Sequence, residues 1–241
     1  AELERVIGET RTLLYRQGTW QSTADNLVSD ALRARTKQDV AVTEPGRYGA
    51  TILPGSITAE DVYNLVPTES PVYHMKFSGR NLRDMLEAAV DNVIAGDVLE
   101  RVGSLMWRFS GIELIVNLSN PYPKRIEKMR IGGAPVDDKR LYSLAEFNIF
   151  LRNNSTATEV TATDRIGPHE VIAYIQEHKE VAPVLDHRIA DHHGQIMADH
   201  THLDEVSAET GRDEVDLDNA RVYQYRGALN KTGQLYVVPK R

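Results

Sequence analysis

The stretch DVAVTEPGRYGATILPGSITAEDVYNLV, residues 39–66, decides the fold because it passes from a strand through a glycine-rich loop into a helix. The apolar run at its start is typical of a buried strand, and Thr58 is a suitable N-cap for the helix that follows. Between them, glycines permit backbone angles that other residues avoid, while two prolines remove conformational freedom and a donor. Arg47 and Tyr48 stand in this loop, and a loop so specified indicates a functional role for them.

Helices and strands alternate on both sides of this stretch, and then strands follow one another. Helices are predicted over about 23–34, 58–66, 78–96 and 168–179, and strands at 39–43, 71–77, 105–110, 112–118, 125–131 and 140–147. In the strand at 105–110, Leu105, Trp107 and Phe109 alternate and are expected to face the core. This order predicts an α+β fold in which a mixed β-sheet is layered with helices.

Two regions differ in character from this core. Residues 1–189 are predicted to form one domain, in which 1–18 is a charged lead-in expected to come from a missing N-terminal domain. Residues 190–241 read as a polar extension, rich in histidine and aspartate, that ends in a predicted β-hairpin.

Composition excludes several classes of protein. The net charge is −7 with a pI near 5.6, which argues against a nucleic-acid polymer as partner, because such proteins usually carry a basic face. No apolar run reaches the roughly 18–20 residues of a membrane span. The chain has no cysteine, so disulfides, thiol catalysis and cysteine-ligated metals are excluded.

Several segments in succession resemble the C-terminal domain of the 5'-nucleotidase family. The motifs follow the family's order: a helix in TADNLVSDALRARTKQ (23–38), a strand and the arginine-bearing loop, the turn GSIT (55–58), the helix SGRNLRDMLEAAVDN (78–92) and the hairpin GGAPVDDKRLYSLAEFN (132–148). The resemblance extends from about residue 7 to residue 187 and implies the fold of that domain.

Within the family, the sequence is more similar to the SoxB-type thiosulfohydrolase branch than to true nucleotidases. YRQGTWQSTADNLVSDALR (15–33) and RYGATILPG (47–55) carry this likeness. The nucleotidase motif P-F-x-N, whose aromatic residue stacks on the base, is PTES (67–70) here. A small anionic substrate is therefore expected. An ordinary nucleotidase stays the rival within enzymes, with Tyr63, Tyr73 and Tyr122 available to contact a base.

The resemblance implies substrate recognition and leaves the chemistry to another domain. Enzymes of this family hold two divalent metal ions, such as Mn²⁺ or Zn²⁺, about 4 Å apart in an N-terminal metallophosphoesterase domain. The D-x-H, G-N-H-(D/E) and G-H-x-H signatures of that domain are missing from residues 1–187. We therefore expect no catalytic residue, metal ligand or cofactor in this chain, and no activity from it alone. The family also implies a periplasmic or extracellular location.

Arg47 is the first candidate for substrate binding. Its planar guanidinium is suited to two parallel charge-assisted bonds with an oxyanion, and the alternative is pairing with Glu44 or with the C-terminus of a helix. Tyr48 and Asn148 are expected to shape the same pocket. Phe150 follows the last core strand, where the family places contacts with the ligand.

Asp25 and Asn26 are candidates because they begin the first helix, whose N-terminus favours anions. Helix capping and a solvated helix face are the alternatives for both residues. Trp20 lies just before this helix and is expected to line the cleft.

A binding module that has this fold without a catalytic partner is the alternative from a different class. It would bind a small anion, or a protein through the histidine-rich segment. DHRIADHHGQIMADHTH (186–202) contains five histidines and three aspartates, which are ligands for Zn²⁺, Mn²⁺ or Ni²⁺. Their spacing is irregular, so a solvated acidic segment is favoured over a metal site.

Overall fold

The structure is a computed structural model that describes residues 2–45, 51–94, 105–147 and 150–198. The helices within these residues are α1 Thr23–Thr36, α2 Ala59–Leu65, α3 Gly79–Ile94 and α4 Gly167–His178, with a 3₁₀ helix at Phe150–Asn153. The strands are β1 Val6–Thr10, β2 Val40–Thr43, β3 Gly55–Thr58, β4 Pro71–Ser78, β5 Arg108–Ser110, β6 Ile112–Val116, β7 Ile126–Ile131, β8 Ala134–Pro135, β9 Leu141–Phe147, β10 Thr158–Ile166, β11 Glu180–Val181 and β12 Ile189–Asp191.

A mixed five-stranded sheet organises the domain, in the order β10-β4-β9-β2-β5. Its central pair, β2 and β9, is parallel, whereas β4 and β5 run antiparallel to their neighbours. A three-stranded sheet, β11-β1-β3, and a four-stranded sheet, β12-β6-β7-β8, complete the β-structure of the described residues. The predicted α+β fold with a mixed sheet is confirmed.

Each face of the five-stranded sheet carries its own hydrophobic core, because side chains alternate along the strands. On one face, Val42 and Leu144 pack with α3 and with strands β6 and β7. On the other face, Ala41, Ala145 and Phe147 pack with α1, α2, α4 and β1. The central sheet is therefore covered on both sides.

The predicted helix starts are confirmed by their caps. Ser22 accepts a hydrogen bond from the backbone N–H of Asp25 at the start of α1. Thr58 and Asp61 form a reciprocal capping box at the start of α2, which satisfies two otherwise unpaired donors. These contacts join residues three apart in the chain, so short-range patterns are sufficient to find them.

The expected core position of Phe109 is confirmed, and Trp107 is half-buried and packs against the same core cluster. The sequence did not predict that Met106 and Arg108 are buried as well, and the strand itself covers only Arg108–Ser110. Arg108 tolerates burial because Asp25 pairs with it. Trp20 also differs from expectation, since it is 1% exposed and belongs to a core cluster instead of lining a cleft.

The ends of the predicted domain are integrated into the sheets. β1 lies within the predicted lead-in and pairs with β3 and β11. β12 crosses the predicted boundary between residues 189 and 190 and pairs with β6, while Met197 is fully buried in the core. The described fold thus continues past 189, and the proposed division of the chain stays a prediction.

Glu87 in α3 accepts hydrogen bonds from the backbone at the start of β7, and replacing it tests whether this contact stabilises the fold. Its carboxylate is 1% exposed and accepts hydrogen bonds from the backbone N–H groups of Ile126 at 2.7 Å and Arg125 at 3.1 Å. Glu87→Ala leaves both donors unpaired, so we expect the free energy of unfolding to fall by about 3 kcal/mol. Urea denaturation followed by circular dichroism measures this loss. Exposed Glu113→Ala is the control, and equal losses in both variants would contradict the assigned role of Glu87.

Candidate functional site

The parallel pairing of β2 with β9 brings two loops to one edge of the central sheet. Thr43, the last residue of β2, is in register with Phe147, the last residue of β9. The segments that follow both strands therefore leave from the same edge. Gly167 at the start of α4 also lies here, because a Cβ at this position would come within 2.7 Å of the Phe147 ring. We call this the carboxyl edge of the sheet.

A buried ion-pair network lies beneath this edge, centred on Asp25 in the first turn of α1. The Asp25 carboxylate is fully buried and accepts hydrogen bonds from Arg16 Nε at 2.8 Å, Arg108 Nε at 2.8 Å and Ser22 Oγ at 2.7 Å. Two guanidiniums thus surround one carboxylate. A buried carboxylate needs this compensation, because an unpaired ion in the interior is strongly disfavoured.

The two arginines extend the network to the surrounding loops. Arg16 donates from Nη2 to the carbonyl of Glu44 at 3.3 Å, and from Nη1 to the carbonyl of Leu65 at the end of α2. Arg108 donates to the carbonyls of Gly18 and Thr19 in the segment before α1. Burial lowers the pKa of the Arg108 guanidinium, while the adjacent Asp25 carboxylate raises it. The network positions the backbone on both sides of the predicted arginine loop.

A second charged cluster occupies the opposite face of the sheet at the same edge. Glu146 in β9 is fully buried and lies in register with Tyr73 in β4. Arg152, in the 3₁₀ helix after β9, places Nη1 3.8 Å from Glu146 Oε1 and its Cζ atom 4.8 Å from the centre of the Tyr73 ring. Charged groups therefore flank the ends of β2 and β9 on both faces.

The structure describes some of the site residues predicted from sequence, and others lie outside the described residues. Arg47, Tyr48 and Asn148 lie outside the described residues. The backbone at Phe150 begins the 3₁₀ helix at the carboxyl edge. The substrate-binding roles of these four residues stay predictions.

The two candidates from α1 have partners within the domain. Asp25 is the centre of the ion-pair network, and its backbone N–H is capped by Ser22. Asn26 is buried and donates from Nδ2 to Val184 O at 2.8 Å and Gln21 Oε1 at 3.1 Å. The N-cap is Ser22, and the solvated face that was the other alternative is wrong, because Asp25 and Asn26 are both buried. A ligand role for them is still a prediction.

Sequence reasoning missed Arg16, Arg108, Glu146 and Arg152. Arg16 lies in the predicted lead-in, and Arg108 lies on the face of its strand opposite the predicted core face, where the sequence did not predict burial. A charged residue within an apolar strand segment is the signal that could have identified Arg108, because burial of a cation requires a buried anion elsewhere.

Two polar groups near this edge have no hydrogen-bond partner among the described residues. Thr43 Oγ1 and Trp20 Nε1 are both buried. His74 Nε2 in β4 is likewise buried without a described partner. Burial lowers the pKa of His74, and the nearby Arg165 cation lowers it further.

Histidines and carboxylates do not form a metal centre in the part of the chain that the structure describes, where no three of them lie together. Asp186 is paired with Arg188 at 2.8 Å, and Asp191 Oδ1 accepts the backbone N–H groups of His193 and Gln195. Asp199, His200 and His202 of the predicted histidine-rich segment lie outside the described residues. None of the described helices is long and apolar enough to cross a membrane.

Comparisons with known proteins identify relatives of this chain. The sequence model of the 5'-nucleotidase C-terminal domain matches residues 6–160, which is more than half of the chain. The chain is 27% identical over 125 residues to the trifunctional nucleotide phosphoesterase protein YfkN of Bacillus subtilis. That match covers 50% of this chain and 8% of the length of that protein.

Solved structures agree with the family match. The sulfate thiohydrolase SoxB of Thermus thermophilus in complex with glycerol gives a TM-score of 0.72 at 25% identity, covering 79% of this chain and 36% of that one. A 5'-nucleotidase precursor, also from Thermus thermophilus, gives 0.64 at 21% identity, covering 79% of this chain and 40% of that one. The predicted family and its fold are confirmed, and the chain spans less than half the length of each of these proteins.

The Asp25 network predicts a large loss of stability when its carboxylate is removed. Asp25→Asn leaves Arg108, which is 2% exposed, without its counter-ion, so we expect the free energy of unfolding to fall by about 3–5 kcal/mol. Asp138→Asn is the control, because Asp138 lies 3.7 Å from Arg80 and is 46% exposed, so less than about 1 kcal/mol is expected. Chemical denaturation of both variants measures the difference, and a small effect at Asp25 would show that the network does not hold the fold.

His74 predicts an acid-sensitive component of stability. The unfolded chain protonates His74 near the ordinary value of about 6.5, whereas the folded protein resists protonation until a lower pH. The stabilisation that comes from the lowered pKa of His74 is therefore fully present above the ordinary pKa of about 6.5. It is lost as the pH falls from there through the lowered pKa of the folded protein. His74→Gln should lose less stability than the natural chain between pH 7 and pH 5, as measured by thermal unfolding. Parallel curves for the two proteins would contradict this assignment.

Proposed function

This chain belongs to the family of 5'-nucleotidase C-terminal domains, and we propose that it recognises the substrate of a two-metal hydrolase. In this proposal an N-terminal metallophosphoesterase domain of the same polypeptide holds the two divalent metal ions and activates the attacking water. The present domain closes over a small anionic or phosphoester-type substrate. The proposal places the enzyme in the periplasm or outside the cell, as the family resemblance implies.

The observation that carries this proposal is the shared edge of β2 and β9. Because these strands are parallel and end in register, the segments that contain Arg47 and Asn148 leave the sheet side by side. In this proposal, the substrate binds beside these two segments. In open α/β sheets, ligands bind outside the carboxyl ends of the parallel strands, and the parallel pair β2–β9 offers the corresponding position here.

Electrostatics favour an anion at this edge. The Asp25 network combines the two cations Arg16 and Arg108 with one carboxylate, so it contributes a local excess of positive charge in a chain whose net charge is −7. Arg47 would add a third guanidinium above it. The proposed role of Arg47 is to hold the oxyanion with two parallel hydrogen bonds while Tyr48 and Asn148 shape the pocket.

The similarity to a sulfate thiohydrolase at 25% identity supports a compact anionic substrate. The similarity to a nucleotide phosphoesterase supports a phosphoester substrate. Both substrates present oxyanions to a metal centre, so one anion clamp serves either reaction. We therefore propose one reaction class for the protein that carries this chain, the metal-dependent hydrolysis of an anionic ester.

Arg47→Ala in the complete protein that carries this chain tests the proposal. We expect turnover of a phosphoester such as bis(4-nitrophenyl) phosphate to fall by roughly 10² or more, the size found for removal of an oxyanion donor. Arg47→Lys should restore only part of the rate, because an ammonium group lacks the planar fork.

Arg80→Ala is the matched control. Arg80 is an exposed arginine at the start of α3, which follows the end of β4 and therefore lies at the opposite edge of the sheet. Unchanged turnover in Arg47→Ala would contradict the clamp. If the complete protein hydrolyses no ester while the 241-residue chain binds phosphate or thiosulfate tightly, the binding-module alternative is favoured instead.

A further inference from the structure

Glu146 places a buried carboxylate at the carboxyl edge. It lies one residue before the end of β9, is fully buried, and stands directly opposite Tyr73 across the antiparallel β4–β9 pair. Residues directly opposite each other in such a pair project from the same face of the sheet. The carboxylate and the tyrosine ring therefore form one surface, to which a cation is attracted from both sides.

Arg152 supplies this cation. Its Nη1 atom lies 3.8 Å from Glu146 Oε1, and its Cζ atom lies 4.8 Å from the centre of the Tyr73 ring. The guanidinium is thus held by an ion pair and by a cation–π contact that act on different parts of it. Since two contacts restrict its orientation, less conformational entropy remains to be lost when it binds an anion.

The position of Arg152 is accessible and is on the proposed substrate side. The 3₁₀ helix that carries it begins three residues after β9 ends, so it stands at the edge where β2 and β9 both end. About a third of its side chain, 31%, is exposed to solvent. A guanidinium that is partly desolvated and partly open binds carboxylate, sulfonate or phosphate groups well.

The contacts of Tyr73 and Tyr63 affect whether a nucleotide base can stack on either ring. The guanidinium of Arg152 covers one face of the Tyr73 ring, and Tyr63 is engaged through its hydroxyl with Glu69 at 3.1 Å and with His169 at 3.0 Å. Two of the three tyrosines that a nucleotidase could use to contact a base are therefore already in contact with charged or polar neighbours.

We propose that Arg152 forms an anion subsite for the part of the substrate that lies beyond the scissile bond. This inference deepens the proposed function and rests on it. The leaving group then carries a compact negative charge, such as a carboxylate or a sulfonate, in the place of a neutral aromatic base. Arg152 is a specificity residue in this scheme, and Glu146 and Tyr73 are its positioning residues.

A pair of esters that differ in one charge tests the subsite in the complete protein. Phenyl phosphate and 4-carboxyphenyl phosphate present the same phosphate, and only the second has a distal anion. We expect the ratio of kcat/KM for the charged over the uncharged ester to be about tenfold lower in Arg152→Gln than in the natural protein. The change should lie mainly in KM, because the contact is remote from the scissile bond.

Two further variants keep the test independent of stability. Arg140→Gln removes an equivalent cation–π contact, 4.8 Å from the Tyr142 ring, at the other end of β9 and should leave the ratio unchanged. The double change Arg152→Gln with Glu146→Gln removes both charges of the pair, so no buried carboxylate is left without its counter-ion. It should show the same loss of preference as Arg152→Gln alone.

The outcomes separate this inference from the proposed function. Hydrolysis of both esters with the same ratio in Arg152→Gln as in the natural protein overturns the subsite and leaves the proposed function intact. A loss of preference in Arg152→Lys as complete as in Arg152→Gln supports recognition through the planar fork. If neither ester is hydrolysed by the complete protein, the proposed function is contradicted and the subsite falls with it.

Discussion

The buried carboxylate of Asp25 is the constraint on which the rest of this structure depends. It lies in the first turn of α1 and is bonded to Arg16, Arg108 and Ser22, so one charge joins the chain before the helix, the helix itself and strand β5. Because Arg108 and Asp25 are both buried, separating them would leave the Arg108 guanidinium in the interior without its counter-ion, so the backbone around the carboxyl edge has little freedom to move. This rigidity suits an edge that is proposed to position a substrate within a fraction of an ångström.

The two charge clusters at this edge lie on opposite faces of the sheet and differ in net charge. The Asp25 network is on the face covered by α1, where it combines two cations with one anion and contributes positive potential. The Glu146–Arg152 pair is on the opposite face and is formally neutral, so it contributes direction more than potential. Under the proposed function, the first cluster would attract an anion to the ends of β2 and β9, and the second would orient it.

Sequence patterns predicted those features of the fold that depend on residues close together in the chain. The helices at 23–34 and 168–179, the cap at Thr58 and the α+β order are all confirmed, because capping and periodicity act within a few residues. The candidate site was only partly accessible in this way. Asp25 and Arg108 are 83 residues apart, so the sequence around Arg108 cannot show which residue pairs with it. The local alternation predicted the core position of Phe109, whereas the burial of Arg108 depends on a carboxylate from a distant part of the chain.

The segment around residue 189 is a second place where local sequence did not reveal long-range contacts. Its polar composition indicated an extension, yet its polar groups bind the start of α1. Gln21 exchanges hydrogen bonds with the backbone of Asp186 at 2.8 and 3.1 Å and also donates to the carbonyl of Met197 at 2.9 Å, while Arg188 bonds Asp30 at 3.0 Å. Since α1 carries Asp25, the residues from 183 to 198 help to hold the network in place. They therefore belong to the scaffold of the candidate site, and the carboxylates of Asp186 and Asp191 have structural partners within this segment.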